Sequence, residues 1–308
     1  MNKLTKISMT ALSTALIAGS VQAMDYSISG GASIAYTSVN TTSDTNPWSM
    51  GDSITFSTSG ELDNGMTVSV SLEMDDHGSD AIDDKSIKID TGNGVVGFAS
   101  SIGGIGGIGT IANKVPNAFT PVFQATNAVD YGQADQKMSS AGQWGYKHTV
   151  GGVGISLGYT PGGNTNGGAD TGWSLSYADL IDGMEVGYGQ QDDGTTSEAE
   201  TAYVKYVTGG ITVAYQKSKV DYESTGTSDE DATHYGISLA VNDDLSVSVG
   251  RQDVEIGTSA SEEENTGVSA SYTMGAVAVK LAFNKAANVA GSAGVDNEAT
   301  VGSITFSF

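Results

Sequence analysis

The 308-residue chain contains no cysteine, four prolines and three histidines. Without cysteine there is no disulfide framework, so the fold must hold by hydrogen bonding and burial alone. Scarce proline beside 42 glycines excludes a proline-rich stalk, argues against long helices and suits many strands joined by tight turns. Basic residues are also few, 13 against 36 acidic ones for a formal net charge of −23, which excludes nucleic acid as a partner. The acidity itself fits either a soluble exported domain or charge held in loops and a wet lumen. His77, His148 and His234 are scattered, with no H-x-x-x-H or H-E-x-x-H pair, so the chain reads as a non-enzyme. Long hydrophobic runs are missing as well. The most apolar stretch, Met9 to Gly19, is about 11 residues where a spanning helix needs roughly 20. That leaves membranes open, because a closed barrel crosses them with strands of only about 9 to 11 residues.

Residues 1–23 read as a cleavable export signal. Lys3 and Lys6 form the charged start, Met9 to Gly19 the apolar stretch, and Val21-Gln22-Ala23 the small-residue cleavage site. Residues 24–308 then form one continuous domain.

What that domain has in abundance is period-two alternation. From Ser53 to Asp75, Ile54, Phe56, Leu62, Met66, Val68, Val70, Leu72 and Met74 alternate with serine and threonine around Asp63-Asn64-Gly65, which predicts a hairpin with one apolar and one hydroxyl-rich face. Further hairpins are predicted at Gln143 to Tyr159 around Gly151-Gly152, at Trp173 to Gln191 around Asp182-Gly183, and at turns centred on Gly209-Gly210, Asn242-Asp243-Asp244 and Gly275. A shorter pair, Ser86 to Asp90 and Val95 to Ser100, is joined by Thr91-Gly92-Asn93-Gly94. With an opening strand at Tyr26 to Val39 and a closing one at Glu298 to Phe308, the expectation is about 16 strands, an even number with both termini on one side.

Alternation alone fits a soluble sandwich equally well. Two features favour a transmembrane antiparallel β-barrel. Links inside hairpins are short, whereas those between hairpins, such as Asp75 to Asp84 and Tyr222 to Asp231, are longer and acidic, as in barrels with short periplasmic turns and long external loops. The polar parity is mostly Ser, Thr, Gly and Gln, while Tyr188, Tyr206, Tyr215, Tyr235, Tyr272 and Phe283 share the apolar one as girdle candidates.

The last segment, Ser303-Ile304-Thr305-Phe306-Ser307-Phe308, alternates to a terminal phenylalanine. It resembles the assembly signal of bacterial outer-membrane barrels, and the whole plan resembles the trimeric general-diffusion porins of Gram-negative bacteria. The Glu61-Leu62-Asp63-Asn64-Gly65 turn and the Tyr146 to Tyr159 hairpin are similar to segments of alphaproteobacterial porins. The resemblance implies an outer-membrane channel for passive diffusion of small hydrophilic solutes and ions. It further implies a homotrimer, contact with outer-membrane lipids and lipopolysaccharide, and recognition of Phe308 by the barrel-assembly machinery. Strands one to five carry few outward rings, and Ile28, Gly30, Ala32 and Ile34 form a smooth strip suited to a sister subunit.

Alternation stops over residues 101–142, about 40 positions and far longer than ordinary loops. In porins this position is the third external loop, folded into the lumen as a constriction. Ile102, Ile105, Ile108, Ile111, Val115, Phe119, Val122 and Phe123 suit packing on the inner wall, with Asp130 and Asp135 charging the aperture. A G-x-G-x-x-G match at Gly104 to Gly109 is rejected as a nucleotide site, since Pro116 and Pro121 interrupt the helix it needs.

With Ile304, Phe306 and Phe308 set outward, parity puts Lys88, Lys147, Lys205 and Lys280 in the lumen, joined by Glu61, Glu73, Asp90 and Glu185. A lysine row facing acidic loop residues would set a transverse field. Family members commonly line one aperture wall with arginines; here the single arginine, Arg251, falls on the outward parity. Few bases and many acids predict cation preference. No cofactor is expected, although Asp75, Asp76, Asp83 and Asp84 offer oxygen ligands suited to Ca2+ in the external loops.

Overall fold

The computed structural model describes residues 24–40, 46–75, 82, 84–100, 106–124, 126, 142–162, 168–178, 180–223, 226–259 and 261–308. Strands form where alternation runs: β1 (Asp25–Val39), β2 (Trp48–Glu61), β3 (Thr67–Asp75), β4 (Lys85–Asp90) and β5 (Val95–Ala99) precede the irregular segment. After it come β6 (Gln143–Val150), β7 (Val153–Thr160), β8 (Asp170–Ala178), β9 (Met184–Asp192), β10 (Ser197–Thr208) and β11 (Ile211–Tyr222). The wall finishes with β12 (Glu230–Ala240), β13 (Leu245–Ile256), β14 (Glu263–Met274), β15 (Val277–Ala287) and β16 (Asn297–Ser307). Each strand pairs antiparallel with its sequence neighbours, and β1 pairs with β16 to close the barrel. Closure leaves no unpaired edge, the condition for backbone in a bilayer.

Every predicted hairpin is present, and the short turns take the backbone their residues favour. Gly151 and Gly152, both at positive φ (59° and 82°), join β6 to β7 in a two-residue loop that a side chain would strain. The register holds alternation in phase around the wall, with Ile34 opposite both Ile304 and Met50. Apolar side chains therefore point outward: Leu175, Tyr215, Tyr235, Val268, Leu281 and Phe283 are all exposed. Inside a soluble sandwich such residues would be buried, so this inversion selects the membrane reading. Tyr206 and Tyr272 stand two residues from the short-turn ends of their strands and Tyr159 one residue from the long-loop end of its own, with Tyr188, Tyr215 and Tyr235 between.

Phe308 extends the closure, exchanging 2.9 Å backbone hydrogen bonds in both directions with Gly30. Its ring lies over Gly30, where a Cβ would come within 2.9 Å of it. This adds to the reading of the smooth outer strip: at Gly30 a side chain would meet the Ser53 carbonyl at 2.7 Å as well as the terminal ring. Rings also stand nearby, with Trp48 exposed and 5.0 Å from Tyr36. Strands β1 to β5 are thus less bare of aromatics than the sequence reading held. Residues 1–23, the expected signal, lie outside the described residues.

Candidate functional site

On the lumen side, β8 to β16 carry the buried polar residues Ser174, Gln191, Thr201, Gln216, Gln252, Asn265, Asn284 and Asn297. They are buried because residues 106–124 and Thr126 lie against them. The segment enters at Gly106, which has no room for a side chain between Gly145 and the Leu157 carbonyl. A 3₁₀ turn at Ile108–Ile111 follows and drops both isoleucines into a cluster with Ala199, Tyr203 and Val220. Burying each isoleucine contributes about 1.5–3 kcal/mol.

Backbone groups of the segment would be orphaned against a purely apolar wall. Here wall side chains meet them. Gln216 accepts from the Lys114 amide (2.8 Å) and donates through Nε2 to the carbonyls of Ile111 (2.9 Å) and Ala112 (2.8 Å). Ser248 and Ser269, bonded to each other at 2.8 Å, accept from the Ala118 amide at 2.9 and 3.2 Å. Asn284 donates to the carbonyls of Pro121 (3.1 Å) and Gln124 (2.9 Å), and Asn297 to that of Thr126 (2.6 Å). At about 0.5–1.5 kcal/mol net each bond counts for less than burial of Ile108, Ile111 or Phe123, and together the hydrogen bonds fix the path.

On the opposite side, β1 to β4 present Ser29, Ser33, Thr55, Ser57, Ser69 and Ser71 inward, in register with one another. Ser57 and Ser71 share a long 3.4 Å hydrogen bond. This wall is a hydroxyl surface beside a loop that lies along the other wall, the geometry of a water-lined passage narrowed from one side.

Residues 8–308 match the family described as Gram-negative porin. The chain belongs to that family. No curated protein matches it. Among solved structures, a loop-deletion mutant of OmpT, an outer membrane protein of Vibrio cholerae, aligns with TM-score 0.68 at 15% identity over 93% of this chain and all of its own. A mutant of the Rh. blastica porin aligns at 0.66 and 12%, over 92% of this chain and 100% of that one. An anion-selective porin from Comamonas acidovorans aligns at 0.65 and 14%, over 93% of this chain and 100% of that one. At these identities the likeness is one of fold.

The porin's lumen lysines all lie near the short-turn mouth. Lys88 is two residues from the end of β4, and Lys147, Lys205 and Lys280 are three residues from the turn ends of β6, β10 and β15. They are spread around the barrel, which replaces the expected row along one wall with a sparse ring. Lys205 and Lys114 both pair with Glu185, the latter at 3.6 Å, and Tyr203 donates a hydrogen bond to the same carboxylate. Lys280 stands 5.7 Å from the Phe119 ring centre. Glu61 and Asp90 share the lysines' end of the barrel, whereas Glu73 and Asp75 stand at the long-loop end of β3. Asp130, Asp135, Asp76 and Asp83 lie outside the described residues. Asp84 accepts the Glu73 amide through its carbonyl, and no metal-ligating group of three or more side chains forms among the described residues.

Arg251 points outward as expected, bound to Asp253 (2.6 Å) and Glu264 (2.9 Å) beside Tyr235. The reading from sequence missed the loop anchors Gln216, Ser248, Ser269 and Asn284. Their signal was the lumen parity itself, which carries amides on β11 and β13 to β15 and none on β1 and β2.

Proposed function

We propose that this porin is a passive diffusion channel for small hydrophilic solutes and ions, with a preference for cations and without catalysis. One observation carries the reading: the loop runs flat along β8 to β16 and faces a hydroxyl wall on β1 to β4. Such a passage selects by size and charge, having no tight ligand cage. Residues 101–142 act as the constriction, with Asp130 and Asp135 adding charge to it.

The preference for cations rests on the inward parity, where Glu61, Glu73, Asp75, Asp90, Asp170 and Glu230 add to Glu185 against Lys88, Lys147, Lys205 and Lys280. Glu185 already offsets Lys205 and Lys114, which thins the cationic set further. The anion-selective relative marks the same fold as compatible with either sign, so the lumen charges decide. Purified protein in a planar bilayer is expected to give discrete open steps, and a reversal potential of cationic sign in a salt gradient. An anionic sign refutes the preference, and absent steps refute the channel.

Export by the 1–23 signal, assembly through Phe308, a homotrimer joined through β1 to β5, contact of the Arg251 region with lipid headgroups, and Ca2+ held at Asp75, Asp76, Asp83 and Asp84 complete the proposal. Trimer current steps in threes support the assembly. Unchanged heat stability after chelation removes the Ca2+ site.

A further inference from the structure

The loop is held to the wall by hydrogen bonds along its edges, but its distance from the wall is set between them. Gly236, Gly250 and Gly267 are direct cross-strand neighbours on β12, β13 and β14, and all three face the lumen. The rows on either side carry side chains: Ser238, Ser248 and Ser269 toward the short turns, His234, Gln252 and Asn265 toward the long loops. The glycine row is therefore a trench between two polar ridges.

Two loop valines occupy it. A methyl at Gly236 would sit 2.8 Å from Val115 Cγ1 and 3.3 Å from the Pro116 carbonyl oxygen. A methyl at Gly250 would meet Val122 Cγ1 at 3.1 Å, and one at Gly267 would meet the same atom at 3.2 Å and the Asn284 Oδ1 at 2.2 Å. None of the three glycines has a positive φ, so backbone conformation does not demand glycine there. Space for the loop does at Gly236 and Gly250, and at Gly267 the loop shares that space with the Asn284 side chain. Every ångström the valines rise from the trench is taken from the open lumen, because the closed ring of hydrogen-bonded strands behind them resists outward movement.

We propose that the Val115 and Val122 contacts with Gly236, Gly250 and Gly267 set the height of the constriction loop, and thereby the size limit for solutes. These positions act on permeation through the loop, so they are positioning residues. The inference rests on the diffusion-channel reading and adds the determinant of aperture width to it.

The test is single-channel conductance of the full-length porin in planar bilayers. Gly250→Val should lower the open step by roughly a third or more, the scale expected when side-chain width is taken from a narrow pore, and should slow uptake of larger sugars more than smaller ones. Val122→Ala in the same chain should restore most of the loss, because it removes the methyls that collide. Gly250→Ala, a milder change, should fall between, and it keeps the test open if the valine variant does not fold. Unchanged conductance in the folded Gly250 variants, or no rescue by Val122→Ala, overturns the inference while leaving the channel reading intact. Absence of steps from the unaltered protein overturns the channel reading and the inference with it.

Discussion

The two halves of the lumen wall follow one alternating pattern yet serve different ends. On β1 to β4 the inward residues along the middle of the wall are serines and threonines with hydroxyls too short to reach across the lumen, and the charged ones, such as Glu61, Glu73 and Asp90, stand near strand ends. On β11 to β15 the same parity sets glycine and alanine among glutamine, asparagine and serine, and the later part of the loop lies on it. Small residues give the loop room and long amides meet its backbone. Polarity alone makes a barrel interior; reach and size decide which side of it is covered.

The largest way to break this contrast is to remove an apolar anchor. Ile108→Ala should loosen the loop by about 2–5 kcal/mol, since Ile108 is fully buried. Limited proteolysis within residues 101–142 and noise on the open current report it. Gln216→Ala leaves the Ile111 and Ala112 carbonyls and the Lys114 amide without their wall partner, a loss of about 1–3 kcal/mol. Its expected readout is the same proteolytic nick at lower yield. Ser57→Val on the open wall should leave loop protection within about 0.5 kcal/mol of the parent, and a comparable nick there would erase the difference between the walls. Smaller still, Glu185→Gln releases Lys205 and Lys114 from their shared carboxylate and should move the reversal potential toward anions. A shift toward cations would count against Glu185 as the offsetting charge.

External order offers a comparison of its own. Asp193, in the turn between β9 and β10, is buried; burial by itself raises its pKa. The hydroxyl and amide of Thr196 and the amides of Ser197 and Thr195 outweigh that and hold the carboxyl well below the usual carboxylate range. A depressed folded value contributes stability above the ordinary carboxylate pKa, lost only as pH falls through the depressed one. Proteolysis at this turn should therefore stay flat through mild acid in the parent and rise at all pH values in Asp193→Ala.

The strands were legible because a wall with lipid on one side and water on the other imposes period two, and turns such as Gly151-Gly152 punctuate it. Hairpin centres and the even strand number followed. The irregular segment was legible as an interruption, and Ile108, Ile111 and Phe123 as residues that need cover. Its partners were not, since Gln216 and Ile111 are far apart in sequence and nothing local links them. Parity gives the lysines a face but no height, so their common position near the short-turn mouth emerged only from strand ends. Gly30 shows the same limit: its smallness suggested a subunit contact, and the ring it also accommodates comes from the opposite end of the chain.

The central claim, one covered wall and one open wall around a water-filled passage, is tested most directly by thiol accessibility. The chain has no cysteine of its own, so single replacements report without background. Ser29→Cys, exposed on β1, should react with a small water-soluble thiol reagent and reduce the current through open channels. Ser269→Cys, buried beneath Ala118 and Phe119, should stay unmodified under the same conditions. Equal reaction at both positions, or protection at Ser29→Cys alone, would contradict the account.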